Sequence, residues 1–376
     1  MPRILHLADL HLGWEPAYLP EEKSKLRRRE RDQLLEKAVD YALSPQNNIH
    51  AVLIVGDLFE HYCPDGALVT QAMEQIARLS KAGMLVVTIP GNHDEITYRE
   101  SVYRRYGDNW PGYLVRNPMP ALSFSGEVKG TGVHIYSLAY TGGVTRPGSI
   151  ESFPRSDAPG IHIGAFHGSL DREGLADRSL PLDSSLLADA GYDYIALGHY
   201  HRYMERKVGA GIAVYPGSVD FKSFNDPGTG FVTIAEYTAT HFKIETAPIA
   251  VRRHQFQKLD LSALAGPEEL RQVCLQFADP EVMMKLNLTG TPCFPVNVET
   301  LTAELENYFF HLEIESSAHF FAESFLDSIA GEPTVRGIYV RRMRERQKEA
   351  TTKREKKVLE QALLKGLSAL EGSDLL

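Results

Sequence analysis

Ala51-Val52-Leu53-Ile54-Val55-Gly56-Asp57-Leu58-Phe59 decides the fold: an apolar run rich in Val and Ile, halted by glycine and followed at once by an aspartate. An apolar run of this length, bounded by Gly, reads as a buried strand. The same pattern recurs outward along the chain. Ile4–Leu7 leads into Asp9-Leu10-His11, and Met84–Ile89 into Gly91-Asn92-His93-Asp94. Ile161–Ala165 leads into Phe166-His167-Gly168, and Tyr194–Leu197 into Gly198-His199-Tyr200-His201. Strands that end in carboxylate, amide and imidazole groups fit an α/β fold, whose sites lie beyond the carboxyl ends of its strands. Taken singly, each segment has a plain explanation. A histidine at a strand end is usually a surface or satisfied core residue, and Gly-Asp or Gly-Asn is ordinary turn chemistry. Five such turns carrying metal-binding residue types by accident is a far harder proposition.

The residue types point to two divalent cations. Asp57 stands alone at a strand tip and is placed to bridge them. Asp9, His11 and His201 complete one ion; Asn92, His167 and His199 complete the other. In Asp9-Leu10-His11 and His199-Tyr200-His201 the partners are two residues apart, which puts both side chains on one face of an extended segment. Mixed nitrogen and oxygen ligands suit manganese, iron or zinc better than magnesium or copper. Two cations about 3.5–4 Å apart supply the charge neutralisation and the nucleophile that phosphodiester hydrolysis needs. His93 is left outside the ligand set, with Asp94 beside it to steer it, and is the candidate to protonate the leaving oxygen.

Asp-x-His, Gly-Asp, Gly-Asn-His-Asp, a lone His and Gly-His-x-His, in that order, resemble the calcineurin-like metallophosphoesterase superfamily. Gly56-Asp57-Leu58-Phe59, Tyr215-Pro216-Gly217-Ser218 with Phe224, and the basic stretch Arg27–Arg31 are similar to its DNA repair exonucleases of the SbcD type. The resemblance covers about residues 1–250. It implies a two-sheet β-sandwich flanked by helices and a manganese-dependent 3′-to-5′ exonuclease with some single-strand endonuclease ability. It also implies an SMC-like ATPase as partner and a homodimer. Two positions depart from the branch: Glu60 stands where it often has a histidine, with His61 one residue later as a possible substitute, and Glu95-Ile96 stands where it often has Ser-Pro.

Composition sets bounds on this reading. The 376 residues allow two or three domains. No run of about 18 apolar residues exists and Met1-Pro2-Arg3 enters a strand directly, which predicts no membrane span, no signal peptide and a cytoplasmic protein. Cys63, Cys274 and Cys293 form no spacing pattern, in keeping with a reducing compartment. The net charge of −9 is awkward for a DNA-binding protein, but its distribution is uneven. Residues 336–357 hold ten Lys/Arg against three Asp/Glu, and Lys23–Arg31 six against Glu30 alone.

The pattern divides the chain into a phosphoesterase domain over 1–250, a smaller α/β cap over 251–338 and a C-terminal helical arm over 339–376. The arm lacks proline to Leu370, and its second half carries Leu359, Leu363, Leu367 and Leu370 at helical spacing. It is either packed on its own domain or, as the resemblance implies, docked on the ATPase. A phosphodiesterase or phosphatase for small molecules or nucleotides is the rival reading favoured by net charge. A non-catalytic scaffold tethering an ATPase to DNA is a second rival, though it would have no use for the ligands or His93.

Overall fold

The computed structural model describes residues 1–142, 150–171, 179–226, 228–292, 294, 296–318 and 323–370; Cys293 and the last six residues of the arm lie outside them. The chain forms two compact units, Met1–Arg253 and His254–Leu376.

The first unit is built on two six-stranded sheets. One runs in the order Phe242–Pro248, Phe231–Tyr237, Arg3–Leu7, Ala51–Val55, Leu85–Ile89, Tyr113–Leu114. The other runs Met204–Val208, Gly211–Tyr215, Tyr194–Gly198, Ile161–His167, Thr131–Ser137, Ala121–Val128. Ala51–Val55 is buried at every position and pairs in parallel with the strands on both sides, Ile4 opposite Ala51 and Ala51 opposite Leu85. An uninterrupted apolar run is what a central parallel strand, covered on both faces, requires. One core takes in Leu5, Leu53 and Val87 of the first sheet and Ile135, Ile163 and Ala196 of the second. Helices Leu34–Leu43 and Gly66–Lys81 add Leu35, Ala38, Val39, Ala72 and Ile76 to it, the stripes expected from helical spacing. Each buried Leu, Ile or Val among them contributes roughly 1.5–3 kcal/mol. The unit is therefore the α/β two-sheet sandwich flanked by helices.

Helix Glu21–Asp32 carries the first basic run, and it is not a solvated face. Arg27 and Arg31 are 1% and 0% exposed. Arg27 donates to Asp220 at 2.6 Å and Glu30 at 2.7 Å, and Arg252 also grips Glu30 at 2.6 Å. Buried guanidinium groups are tolerable only when paired in this way. Arg31 donates to the carbonyls of Leu10 (3.3 Å) and Phe221 (2.8 Å) and lies over the Trp14 ring. It thus ties the Asp9–His11 loop to the segment after Tyr215. Two of the six cations of this run, Arg27 and Arg31, are thus structural clamps.

In the second unit, strand Asp279–Thr289 pairs with Phe309–Ser316 in parallel, and Arg253–Asp260 forms the other edge of a three-stranded sheet. Helices Pro267–Leu275 and Val298–Leu305 share its core through Leu270, Cys274, Leu301 and Leu305. The arm then departs from expectation. In place of one helix there are two, Val335–Glu349 and Lys353–Leu370. Thr352 and Glu355 explain the break: each side chain accepts the other's backbone N–H at 3.1 Å, a capping box that starts a new helix. The leucine stripe is also spoken for. Leu363 and Leu367 are buried against Leu326, Ile329, Val340 and Met343, with Leu359 packed alongside. Gly366 lets the second helix approach the first, since a Cβ there would fall 2.1 Å from the Tyr339 hydroxyl. The stripe expected to face a partner instead joins Glu323–Ala330 and the two arm helices to each other. Among the described residues no helix is long and apolar enough to cross a membrane.

Candidate metal centre

All seven candidate ligands meet at one end of the sandwich. Asp9, His11, Asp57 and Asn92 follow three adjacent parallel strands of the first sheet. His167, His199 and His201 follow two adjacent parallel strands of the second, where Gly198 lies opposite His167. The turns that present them are sharp. Asp9 (φ 55°), His11 (50°), Asp57 (50°) and His199 (104°) all have left-handed backbones. For residues with a Cβ this costs roughly 1–3 kcal/mol each and persists only where the surroundings enforce it, typically at functional sites. Backbone bonds do so here: Asp9 N–H to Gly56 O at 3.2 Å, and His11 N–H to Asp57 O at 2.9 Å. The His199 N–H in turn donates to the Asp9 carboxylate at 3.0 Å. Gly91 is required by contact, because a Cβ there would lie 2.3 Å from Asp57 Oδ1.

The polar atoms fall into two groups. In the first, His11 Nε2 lies 3.1 Å from His201 Nε2 and 3.9 Å from Asp57 Oδ2, and His201 Nε2 lies 3.8 Å from Asp9 Oδ1. In the second, Asn92 Oδ1 lies 3.0 Å from both His167 Nε2 and His199 Nδ1, and His167 Nε2 lies 3.3 Å from Asp57 Oδ2. Ligand bonds of 2.0–2.2 Å place neighbouring donors of one ion about 3–3.5 Å apart, so both groups have the right scale. The donor chemistry fits too. His201 Nδ1 is 2.6 Å from Asp226 Oδ2, and His11 Nδ1 is 2.8 Å from Glu60 Oε2. With a proton held on each Nδ1 beside its acid, both Nε2 atoms would be left to face one cation. At 3.1 Å the two nitrogens need a shared positive charge, a proton or a metal ion. His167 Nδ1 is fixed by Val55 O at 2.9 Å, again turning Nε2 inward.

Electrostatics agree. Burial pushes His11 down to about 3 despite Glu60, so its ring is neutral, as a ligand must be. Burial works to raise Asp57, but His167 holds its carboxyl well below the ordinary range. Burial likewise opposes a charged His167, yet Asp57 and Asp9 pull it up to about 10. Two buried carboxylates thus call for positive charge at this spot.

His93 and Asp94 part company. His93 N–H donates to Asp57 Oδ1 at 2.8 Å, and its Nδ1 lies 2.9 Å from the Glu60 carbonyl; its ring also stands close enough to His11 and Asp57 to form a third group able to hold a metal ion. Asp94 does not steer it. Asp94 accepts the N–H groups of Gly91 (2.7 Å) and Phe59 (3.2 Å) and the Tyr103 hydroxyl (2.8 Å), bracing the loop from below. Burial first, then Asp57, raises its carboxyl to about 6. His61 is exposed and belongs to none of the clusters of metal-binding groups. Reading the sequence missed Asp226, Lys222 and Tyr103, none of which carries a motif; Asp226 and Lys222 also lie far along the chain from the His201 and Glu60 they support. Tyr215, part of the quoted Tyr-Pro-Gly-Ser, donates to Gly168 O at 2.8 Å and accepts from Leu170 N–H at 2.9 Å, holding the His167 loop.

A family model described as calcineurin-like phosphoesterase matches residues 2–203. The DNA double-strand break repair protein Mre11 of Haloferax volcanii is 25% identical over 309 residues, 81% of this chain and 65% of its own. That of Aeropyrum pernix is 29% identical over 242 residues, 61% of this chain and 57% of its own. The uncharacterized metallophosphoesterase YhaO of Bacillus subtilis is 27% identical over 233 residues, 60% of this chain and 54% of its own. The chain thus spans between about half and two thirds of the length of these curated relatives. With the family model covering more than half of its residues, the chain belongs to the calcineurin-like phosphoesterase family.

Proposed function

We propose that this protein is a two-ion phosphodiesterase acting on DNA, a nuclease of 3′-to-5′ exonuclease type with some single-strand endonuclease ability, loaded with manganese. The observation that carries the reading is Asp57, whose Oδ2 lies 3.9 Å from His11 Nε2 and 3.3 Å from His167 Nε2, between the two ligand groups. Asp9, His11 and His201 hold one ion with it, and Asn92, His167 and His199 the other. When bound, the two cations neutralise phosphoryl charge and activate the attacking water. His93 delivers a proton from Nε2 to the leaving oxygen while the Glu60 carbonyl keeps Nδ1 occupied.

DNA as substrate is supported by the two relatives named for double-strand break repair. With Arg27 and Arg31 buried, phosphate contacts fall to cations elsewhere, among them exposed Arg341, Arg342 and Arg346 of helix Val335–Glu349. Residues 251–338 act as the cap that selects DNA geometry. The helical arm holds an SMC-like ATPase, using faces other than its buried leucines; Ile338 and Val358 are 48% and 57% exposed. A homodimer completes the assembly. The test is end-labelled duplex DNA and a small aryl phosphodiester, each with manganese. Shortening of duplex from its 3′ ends supports the nuclease. Cleavage of the aryl diester alone favours a small-substrate phosphodiesterase, and inertness toward both sinks the enzymatic reading.

A further inference from the structure

Glu60 touches both halves of the chemistry without belonging to either. Its side chain is 15% exposed, and Oε2 stands 2.8 Å from His11 Nδ1 and 2.9 Å from Lys222 Nζ. Its main-chain carbonyl lies 2.9 Å from His93 Nδ1. His11 is fully buried, and among the described residues no well-aligned hydrogen bond reaches its Nδ1. The Glu60 carboxylate is therefore within range of Nδ1 but not aligned with it.

We infer that Glu60 is a positioning residue that sets the ring tautomer of both histidines, His11 through its side chain and His93 through its backbone. The inference rests on the two-ion reading of the centre. A carboxylate beside Nδ1 keeps the proton there, leaves Nε2 as the ligand atom and strengthens it as a donor. Lys222 matters because an unpinned carboxylate this close to a cation would swing in and become a ligand itself. The ammonium holds it back as an outer partner. The two ion sites then differ in kind. In the first, His11 and His201 are both backed by acids, Glu60 and Asp226. In the second, His167 is backed by a neutral carbonyl, Val55 O. Glu60 therefore acts on the first ion and not the second.

The test uses the full chain, stripped with chelator and titrated with Mn²⁺ by calorimetry, with melting of the metal-free protein as control. The unsubstituted chain takes up two ions. In Glu60→Ala one ion weakens by about 10- to 100-fold, the usual loss for an outer-shell partner, and the other is retained. Glu60→Gln, whose amide oxygen can accept the same N–H, recovers most of the affinity. Glu60→Ala keeps the main-chain contact to His93, so at saturating Mn²⁺ its turnover exceeds that of His93→Ala. Two ions bound with unchanged affinity in Glu60→Ala overturn the inference alone. So does equal weakening of both ions together with a lower metal-free melting temperature, which marks a merely structural role. Fewer than two ions in the unsubstituted chain overturn the two-ion reading and this inference with it.

Discussion

His93 and Asp94 are neighbours with separate duties, and substitution should separate them. His93→Ala should lower turnover by about 100- to 10,000-fold, the range for a lost proton donor, with metal content unchanged in elemental analysis; a parallel loss of metal would make His93 a ligand. Asp94→Asn should act on stability instead. It disturbs a buried acceptor of three hydrogen bonds, from Gly91, Phe59 and Tyr103, and leaving buried partners unsatisfied costs about 1–3 kcal/mol. Denaturant unfolding should register that loss. Asp57→Asn should weaken both ions at once and His11→Ala mainly one, which titration with Mn²⁺ resolves. That these side chains gather at one end of the sandwich was legible because carboxylate, amide and imidazole at strand exits have few other reasons to recur. The role of Asp94 was misread because adjacency in sequence does not say where a side chain points. Its partner Phe59 is 35 residues away.

At the scale of elements, the apolar runs located the site-bearing strands to within a residue or two, since burial on both faces leaves a continuous signal. The turns after them were legible only as composition. That Asp9, His11, Asp57 and His199 take left-handed backbones follows from the crossing of neighbouring loops, which no local pattern encodes. Gly91→Ala should show how tight that crossing is. Displacing Asp57 should cut turnover by about 100-fold, as an ångström-scale misplacement does, and a normal rate would mean the loop has slack. In the arm, Thr352-Lys353-Arg354-Glu355 held a legible signal that helix propensity alone overlooked: the capping box restarts the helix. The leucine spacing was read correctly as a stripe, but its destination depends on Val340 and Met343 of the preceding helix. Leu367→Ala should cost about 2–5 kcal/mol in the second unit while cleavage of a small aryl diester stays unchanged. Loss of that activity at permissive temperature would tie the helices to the chemistry.

At the scale of the whole molecule, the fold class was legible and the electrostatic plan was not. Net charge and charge runs counted Arg27 and Arg31 as surface cations, whereas both lie in the interior among Asp220, Glu30 and backbone carbonyls. Sequence cannot tell a solvated run from a buried one when both sit on a helix. The two sheets have a further consequence. On the two-ion proposal each ion's ligands would come from both, since Asp9, His11 and Asp57 meet His201, and Asn92 with Asp57 meets His167 and His199. Loaded cations would then rivet one sheet to the other along that end of the sandwich. Any agent that binds only the folded chain stabilises it by about 2.7 kcal/mol at a hundred times its Kd. The melting temperature of the first unit should accordingly climb with manganese concentration and fall back on chelation. A protein so fastened resists prying apart at its working edge while it is charged with metal, and loosens there first when metal runs short.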